Sequence, residues 1–195
     1  KVCGSSLKAA MIAATEVRAG VSNMVVAGGM ESMSNAPHFV RGARRGADVS
    51  YAALESVLVH DGLVDAYTGE AMGNTGETIA GEHGIAREQS DAFAIRSHAL
   101  ASKAWDEGWL DKEAFAVGGL DRDEGIRPDS SMESLAVLGT VFKDDGQVTA
   151  GNSSQVSDGA SAILIASEEA AAEHGLPILA RIVDFATSGV ESHRV

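Results

Sequence analysis

A long polar stretch separates two short apolar segments, and this arrangement limits the folds that the chain can adopt. The stretch runs from residue 35 to residue 147, and it holds several helical patterns but no convincing strand ladder. Before it, the apolar run 24–27 leads into a Gly-Gly pair, which is typical of a strand buried on both faces. After it, apolar residues return at 148–150 and 159–166. The sequence therefore predicts an α/β core that is interrupted by an inserted, mostly helical domain.

Helical periodicity is clearest just after the start of the chain. Small and apolar residues recur three or four positions apart from Leu7 to Val17, and Gly20 follows as a stop signal. Inside the polar stretch, helical periodicity runs from Arg87 to Trp109, and this longer helix is expected to open at Ser90-Asp91 and to end at Gly108. The other predicted elements are helices over 71–83, 132–138 and 168–174, strands over 148–150 and 179–183, and a strand or helix over 159–166.

Charge and composition exclude several functions. Acidic residues outnumber basic ones by 28 to 15, a net charge of −13, so a nucleic-acid partner is not expected. Every apolar run is far shorter than a membrane span, so no membrane association is expected either. The six histidines are scattered without a His-x-x-x-His pair, so the sequence predicts no metal site.

The chain contains one cysteine, Cys3, and the helix predicted directly after it gives this thiol a reactive position. A lone cysteine forms no internal disulfide, which indicates a reducing compartment. A helix N-terminus presents unpaired N–H groups and the positive end of the helix dipole, both of which favour a thiolate. Gly4 leaves room for a substrate carbonyl to approach the backbone. The neighbouring residues therefore favour an activated nucleophile, with a small buried residue as the alternative.

Several groups of residues form motifs in a fixed order along essentially the whole chain. They are Val2–Ala9, Val26–Pro37, Asp61–Leu63, Met72-Gly73 with Glu77, and Thr149–Ser154 with Asp158–Ala160. Together they resemble the thiolases, the acetyl-CoA C-acyltransferases. The resemblance implies an incomplete, layered αβαβα thiolase fold. Its segments would be an N-terminal-half core with the nucleophile helix (1–34), an inserted coenzyme A-binding loop domain (35–147), a return to that core (148–176) and the start of the C-terminal half (177–195).

The resemblance also implies roles for single residues. Cys3 would be the nucleophile that forms the acyl-enzyme of a ping-pong reaction, with a coenzyme A thioester as substrate and no tightly bound cofactor. Six further residues would contact the substrate: Leu63 and Met72 along the acyl and pantetheine path, Phe142 and Ser154 beside the pantetheine, and Arg127 and Ser134 at the adenine nucleotide end.

The sequence also departs from the family pattern. Ala71 stands where some members have a histidine, and Gly139-Thr140 stands where an Arg-Pro pair is common. The family's later Asn-Glu-Ala, Gly-His-Pro and Cys-x-Gly-Gly-Gly motifs have no counterpart among the 195 residues. The chain is therefore expected to be an internal fragment of a thiolase, inactive by itself because the base and the second cysteine belong to those motifs.

The reaction implied for the intact parent joins or splits carbon–carbon bonds in fatty acid metabolism. It is either Claisen condensation of acetyl-CoA or thiolytic cleavage of a 3-oxoacyl-CoA. Two alternatives stay open: a non-catalytic coenzyme A-binding or degenerate protein of thiolase fold, and an unrelated cysteine hydrolase. A homodimer or homotetramer is expected, since the segment 37–50 resembles a tetramer-forming loop. The expected location is cytoplasmic, or an organelle matrix if a targeting segment lies upstream of Lys1.

Overall fold

The computed structural model describes residues 1–46, 50 and 53–194. Residues 47–49, in the segment expected to resemble a tetramer loop, lie outside this description. The chain divides into two compact units. The first unit combines Lys1–Leu58 with Val156–Gly189, and the second combines Val59–Gln155 with the residues from Val190 onward.

The first unit is built from one helix on a two-stranded sheet. Helix α1 spans Ser5–Arg18, and Gly20 follows it with a φ of 70°. Strand β1 (Met24–Ser32) pairs antiparallel with a second long strand, Asp158–Ala166, so that Met24 lies opposite Ala166. The helix predicted after Cys3 and the strand predicted at Met24 are confirmed, and the segment left open between strand and helix is a strand.

Small side chains bring the helix close to the sheet. The core of this unit consists of Ala13 and Ala14 from α1, Ala27 from β1, and Ile165 from the second strand. Gly29 faces the first turn of α1 so closely that a Cβ there would lie 2.8 Å from the Cβ of Ser6. Since a larger residue at this contact would push α1 away, Gly29 fixes how α1 is seated on β1.

The prediction of a strand buried on both faces is wrong for β1. Burial alternates along the strand, with Ala27 buried on the side of α1 while Val26 is 72 % and Met30 81 % exposed. Successive side chains of a strand point to opposite faces, and in the described residues α1 is the helix that packs on this sheet. A continuous apolar run therefore marks two apolar faces, of which this unit covers one.

Short elements complete the first unit. Two residue pairs form a small antiparallel ladder between β2 (His38–Phe39) and β3 (Glu55–Ser56), so the long strand Asp158–Ala166 is β4. Single turns of 3₁₀-helix occupy Met33–Asn35 and Ala43–Arg45. The predicted helix over 168–174 is confirmed as Glu168–Glu173, and we number it α5 because three helices of the second unit precede it in the chain. The Ser167 hydroxyl caps this helix by accepting from the Ala170 N–H.

The predicted strand over 179–183 is wrong, because these residues take no regular structure. The backbone carbonyls of Ile182 and Val183 accept hydrogen bonds from the Arg18 guanidinium at 2.8 and 3.0 Å. Arg18 also lies over the Phe185 ring. A side chain from α1 therefore occupies the carbonyls that a neighbouring strand would need.

The carboxylate of Asp158 ties the start of β4 to the turn that follows β1. It accepts hydrogen bonds from the N–H and hydroxyl of Ser34 and from the hydroxyl of Ser32. The hydrogen bonds from Ser34 hold the pKa of Asp158 below its ordinary value of 3.8. A folded-state pKa below the unfolded value stabilises the fold above about pH 3.8, and this contribution is lost as the pH falls through the folded pKa.

We therefore expect Ser34→Ala to raise the pKa of Asp158 toward its ordinary value. Carboxyl chemical shifts measured by NMR during an acid titration report this pKa directly. Carboxyl signals from residues outside this turn serve as the internal reference in the same spectrum. An Asp158 pKa that is unchanged by Ser34→Ala would contradict the assigned cause.

The second unit is helical. Helix α2 spans Met72–His83, α3 spans Arg87–Asp106 and α4 spans Met132–Ala136. A π-helical turn covers Leu58–Leu63, and a 3₁₀ turn covers Ser192–Arg194. The three helices predicted in the polar stretch are thus confirmed. Among the helices of the described ranges, none has the length and apolar character needed to cross a membrane.

The helical periodicity predicted from Arg87 is confirmed, whereas the opening assigned to Ser90-Asp91 is wrong by one turn. The helix starts at Arg87, where the Gln89 side chain accepts from the Ala86 N–H and the Ala86 carbonyl accepts from the Gln89 N–H. Asp91 is 1 % exposed and pairs with Arg87 inside the helix. The acidic residue therefore serves an internal ion pair and does not cap the helix.

The predicted strand over 148–150 is also wrong. Thr149 is fully buried, but its pairing is reduced to one isolated bridge with Thr140. The Glu77 carboxylate accepts from the N–H groups of Gln147 and Val148, and the Asn152 side chain accepts from the Thr149 N–H. Side-chain acceptors from α2 and from the following turn replace the neighbouring strand that such a segment ordinarily needs.

Candidate functional site

Cys3 lies in an exposed turn immediately before α1. Gly4 is the residue that precedes the helix, and the Lys8 N–H bonds the Gly4 carbonyl at 2.9 Å. In the described part of the chain, the N–H groups of Cys3 and Ser6 have no hydrogen-bond partner. An exposed thiol beside free N–H donors suits nucleophilic attack on a carbonyl whose oxygen becomes negative. The structure thus gives Cys3 the helix N-terminal position that the sequence predicted.

The six predicted substrate-contacting residues all lie in the second unit, whereas Cys3 lies in the first. Two of the six come close together at the start of α2. Leu63 ends the π-helical turn and Met72 begins α2, and an isolated bridge between Val64 and Ala71 joins the chain just inside them. The loop between Leu63 and Met72 is therefore closed at its base, which places these two residues at adjacent ends.

Phe142 joins this group through Gly73. Its ring lies against Gly73 in the first turn of α2, so closely that a Cβ at Gly73 would overlap the ring. Phe142 is 37 % and Met72 38 % exposed, so both apolar side chains keep a surface open to solvent. Leu63, Met72 and Phe142 thus form an apolar patch at the N-terminal end of α2, which we call the α2 patch.

Arg127 lies in the charged loop between α3 and α4. Its Nη1 donates to the carbonyls of Glu124 and Ile126 at 2.7 and 3.2 Å, and the side chain is exposed. Its backbone N–H donates to Nδ1 of His98 on α3 at 3.2 Å. The loop therefore presents a planar cation whose backbone is held by a histidine of the neighbouring helix.

Ser134 lies in the first turn of α4. Its hydroxyl accepts from the Ser131 N–H and donates to the Ser131 carbonyl, while the Ser131 hydroxyl accepts from the Ser134 N–H. This reciprocal cap satisfies N–H groups that the start of a helix otherwise leaves open. In the same turn, the Glu133 carboxylate accepts hydrogen bonds from the Glu133 backbone N–H and from the Ser131 hydroxyl, and these hydrogen bonds lower the pKa of Glu133.

Ser154 lies in the exposed end of the loop that follows Thr149. Its position depends on Asn152, which lies two residues earlier and is held by three hydrogen bonds. In the described residues, no hydrogen bond joins the side chains of Arg127, Ser134 and Ser154 to one another. These three residues are thus carried on three separate segments of the second unit.

The structure adds residues to which the sequence gave no site role. Glu77 holds the 146–148 loop, and Arg87, Asp91 and Asn152 form a hydrogen-bonded chain beneath it. Glu77 and Asn152 stand within the quoted motifs, which was the available signal. The pairing of Arg87 with Asp91 follows from their i, i+4 spacing. In residues 1–46, 50 and 53–194, no group of three or more His, Cys, Asp or Glu side chains forms a possible metal site.

Comparison with known proteins gives one consistent family. The family model described as thiolase, N-terminal domain, matches residues 1–169. The acetyl-CoA acetyltransferase of Pseudomonas aeruginosa is 42 % identical over 98 % of this chain and 51 % of its own length. The probable acetyl-CoA acetyltransferase of Escherichia coli K12 is 43 % identical over 97 % of this chain and 50 % of its own length.

Solved structures agree with this assignment. The crystal structure of the Bacillus anthracis acetyl-CoA acetyltransferase matches with a TM-score of 0.88 and 37 % identity, over 98 % of this chain and 50 % of that one. Human mitochondrial 3-ketoacyl-CoA thiolase in complex with CoA matches with a TM-score of 0.82 and 35 % identity, over 90 % of this chain and 46 % of that one. The chain spans about half the length of the curated relatives it matches. It has part of the thiolase fold, and it belongs to the thiolase family.

Proposed function

We propose that this chain carries the nucleophile and the coenzyme A-binding segments of an acyl-CoA thiolase. The activity would be acyl transfer between coenzyme A thioesters, in Claisen condensation of acetyl-CoA or in thiolytic cleavage of a 3-oxoacyl-CoA. The observation that carries the proposal is the exposed Cys3, next to free N–H groups at the start of α1, in a chain of the thiolase family. Coenzyme A would enter as substrate, with no tightly bound cofactor.

The proposed chemistry at Cys3 is a double displacement. In the condensation direction, the thiolate Sγ attacks the thioester carbonyl of acetyl-CoA, a new C–S bond forms, and coenzyme A leaves as a thiolate that takes up a proton; the C2 enolate of a second acetyl-CoA then attacks the acetyl group and releases the Cys3 thiolate. In the thiolysis direction, Sγ attacks the C3 ketone of the 3-oxoacyl-CoA, the C2–C3 bond breaks, and acetyl-CoA leaves as an enolate that takes up a proton; a coenzyme A thiolate then takes the acyl group and releases the Cys3 thiolate. The backbone N–H of Cys3 would donate to the carbonyl oxygen while it carries negative charge.

The second unit would act as the inserted coenzyme A-binding domain. Its α2 patch, Leu63, Met72 and Phe142, offers apolar surface to the acyl group and pantetheine. Ser154 would bond the pantetheine arm. Arg127, with an exposed planar guanidinium, suits a phosphate or the face of adenine, and Ser134 would lie at the same end. We further propose a homodimer or homotetramer that acts in the cytoplasm.

Thiolysis of acetoacetyl-CoA tests the proposal. The assay is run on the 195-residue chain and on any longer protein that contains it. The length of that longer protein is measured first, from the intact mass of the protein isolated from its source. We expect turnover in the longer protein and none in the 195 residues alone, because the Gly-His-Pro and Cys-x-Gly-Gly-Gly motifs are missing from them. Coenzyme A binding without turnover in a longer protein that includes those motifs would instead support the non-catalytic alternative.

Gly73→Ala tests the α2 patch. The new methyl group would displace the Phe142 ring, so we expect a KM for the acyl-CoA raised about tenfold, the size of losing one well-packed contact. The fold is expected to tolerate the change, because the Phe142 ring is partly exposed and can move toward solvent. In addition, alanine stabilises a helix by up to about 1 kcal/mol relative to glycine. Steady-state kinetics of a longer, active protein that contains this chain measures the change in KM, and thermal unfolding measures the change in stability.

Gly76→Ala is the matched control for this prediction. It makes the same substitution in the same helix, but its Cβ would meet only the Val148 side chain, at 3.3 Å. We expect its KM to stay close to that of the unchanged protein. Equal KM values for the two variants would show that the Phe142 contact plays no part in substrate binding.

A further inference from the structure

We propose that one face of α3 is the scaffold that spaces the coenzyme A-binding segments, with Asp91 as its central positioning residue. This inference rests on the proposed function, since it concerns how the segments carrying Arg127, Ser134 and Ser154 are held. The argument starts from Arg87, Asp91 and His98, which follow one another at spacings of four and seven residues. At 3.6 residues per turn these spacings place all three on the same side of the helix.

The first connection runs from Asp91 to α4 through Arg87. The Arg87 Nε donates to Asp91 Oδ2 at 2.7 Å, and its Nη2 donates to the carbonyls of Leu135 and Leu138 at 2.6 and 3.3 Å. These carbonyls lie at the end of α4 and just beyond it, where helices leave acceptors unsatisfied. One guanidinium thus binds a buried carboxylate and the segment that carries Ser134.

The second connection runs from the other oxygen of Asp91 to the loop that carries Ser154. The Asn152 Nδ2 donates to Asp91 Oδ1 at 2.9 Å and to the Gln147 carbonyl at 2.9 Å. The Asn152 Oδ1 accepts from the Thr149 N–H at 2.8 Å. The amide of Asn152 therefore closes the loop 147–152 on itself and fixes it to α3 through one buried carboxylate.

The third connection lies two turns further along the same face. The His98 Nδ1 accepts from the Arg127 N–H, and the Ser130 hydroxyl donates to the Arg127 carbonyl in the same loop. Three segments that are distant in sequence are thus attached to one helix by side chains that share a face. Because a helix is stiff, the distances between the three segments follow from the positions of residues 87, 91 and 98.

Asp91 differs from an ordinary stabilising ion pair because its two oxygens serve two different segments. Replacing it with asparagine keeps the shape but removes the charge that both Arg87 and Asn152 address. An asparagine offers one acceptor oxygen, so one attachment loses its acceptor to an NH₂ group that faces a donor, and the other loses the charge of its acceptor. We therefore expect both attachments to weaken at once, with the two segments free to change their separation.

The experiment compares Asp91→Asn with Asp106→Asn, a matched change in the same helix at an exposed carboxylate that pairs with Arg122. Amide hydrogen exchange of the ligand-free protein is followed by segment, and coenzyme A affinity is measured by calorimetry. For Asp91→Asn we expect exchange at 135–138 and 147–152 to rise at least about tenfold, and affinity to fall about tenfold, as loss of charged hydrogen bonds implies. Asp106→Asn is expected to change neither.

Two further variants keep the proposal testable if Asp91→Asn does not fold. Arg87→Lys retains the positive charge beside Asp91 but loses the fork to α4, so exchange should rise at 135–138 and not at 147–152. His98→Ala should loosen the Arg127 loop alone, and His98→Asn should restore it, because the asparagine oxygen takes the place of Nδ1. Faster exchange spread evenly over all three segments in every variant would overturn the separate attachments.

The readouts separate this inference from the proposed function. Absence of coenzyme A binding by the unchanged protein would contradict the proposed function, while segment-specific exchange would still support the α3 scaffold. Conversely, coenzyme A binding that is equally tight in Asp91→Asn, despite loosened segments, would overturn the positioning role and leave the proposed function intact.

Discussion

Replacing Cys3 with serine in a longer, active protein that contains this chain is expected to abolish formation of the acyl-enzyme and to lower thiolysis by at least about 10⁴-fold. A hydroxyl has nearly the size of a thiol, so the turn before α1 should keep its geometry. The hydroxyl is, however, a far weaker nucleophile near neutral pH, because it stays protonated unless a base removes its proton. Because the substitution replaces one sulfur atom with oxygen and changes nothing else, the whole loss can be assigned to the Sγ of Cys3.

The intact mass of the protein after exposure to acetyl-CoA shows whether the acyl-enzyme forms, and this measurement does not require turnover. The unchanged protein should gain one acetyl group, which hydroxylamine removes, whereas Cys3→Ser should gain none. Coenzyme A affinity should be equal in the two proteins, which shows that the variant is folded. Thiolysis by Cys3→Ser within tenfold of the unchanged protein would exclude Cys3 as the acyl carrier.

The sequence predicts the elements of this chain better than it predicts how they are covered. Residues 7–17 carry a helical repeat with small residues on the sheet side, and α1 forms as that pattern requires. The run 24–27 predicts a strand equally well, yet its second face is exposed at Val26. An apolar run indicates which faces of a strand can be buried. It does not indicate which other helices or strands of the fold cover those faces.

Errors at the site arise where side chains replace backbone partners. Val148–Ala150 has the composition of a strand, but Glu77 and Asn152 take its N–H groups, and these partners lie far along the chain or beyond a turn. Aspartate is a residue type that often caps helices, but Asp91 is buried beside Arg87 and forms an ion pair with it. Such roles depend on contacts between distant segments, which neither periodicity nor spacing reveals.

The position of Cys3 was predictable for a different reason. The helix pattern begins a few residues after the cysteine, and the glycine between them allows the turn, so local sequence alone fixes the thiol at a helix start. The roles of Leu63, Met72, Arg127, Ser134, Phe142 and Ser154 came from family resemblance. These six residues are spread over 92 positions from 63 to 154, and no local pattern connects them.

Gly28→Ala is expected to give the largest loss of stability of any single methyl addition in the first unit. Its Cβ would overlap the carbonyl oxygen of Ser161 and lie 3.0 Å from the Ala162 Cα, so both obstacles are backbone atoms of β4. Backbone cannot turn aside as a side chain can, and β1 and β4 would have to separate. We expect a loss of about 3 kcal/mol in the free energy of unfolding, at the upper end for overpacking.

Gly159→Ala is the matched control, because it adds the same methyl group to the same two-stranded sheet, where the Cβ would meet nothing within 4 Å. Removing a strand glycine also restricts the unfolded chain, so this variant should be unchanged or more stable by up to about 1 kcal/mol. Urea unfolding of the two variants, or resistance to a protease if unfolding is not cooperative, gives the comparison. Equal stability of the two would show that β1 and β4 pair more loosely than the structure indicates.

The same comparison bears on the nucleophile, because β1 seats the helix that follows Cys3. Gly29, the next residue after Gly28, contacts Ser6 in the first turn of α1, so a shift of β1 away from β4 changes the surface on which that turn rests. Gly28→Ala should therefore lower the rate of Cys3 acetylation as well as stability, whereas Gly159→Ala should lower neither. A stability loss without slower acetylation would mean that the turn of Cys3 holds its geometry independently of the sheet.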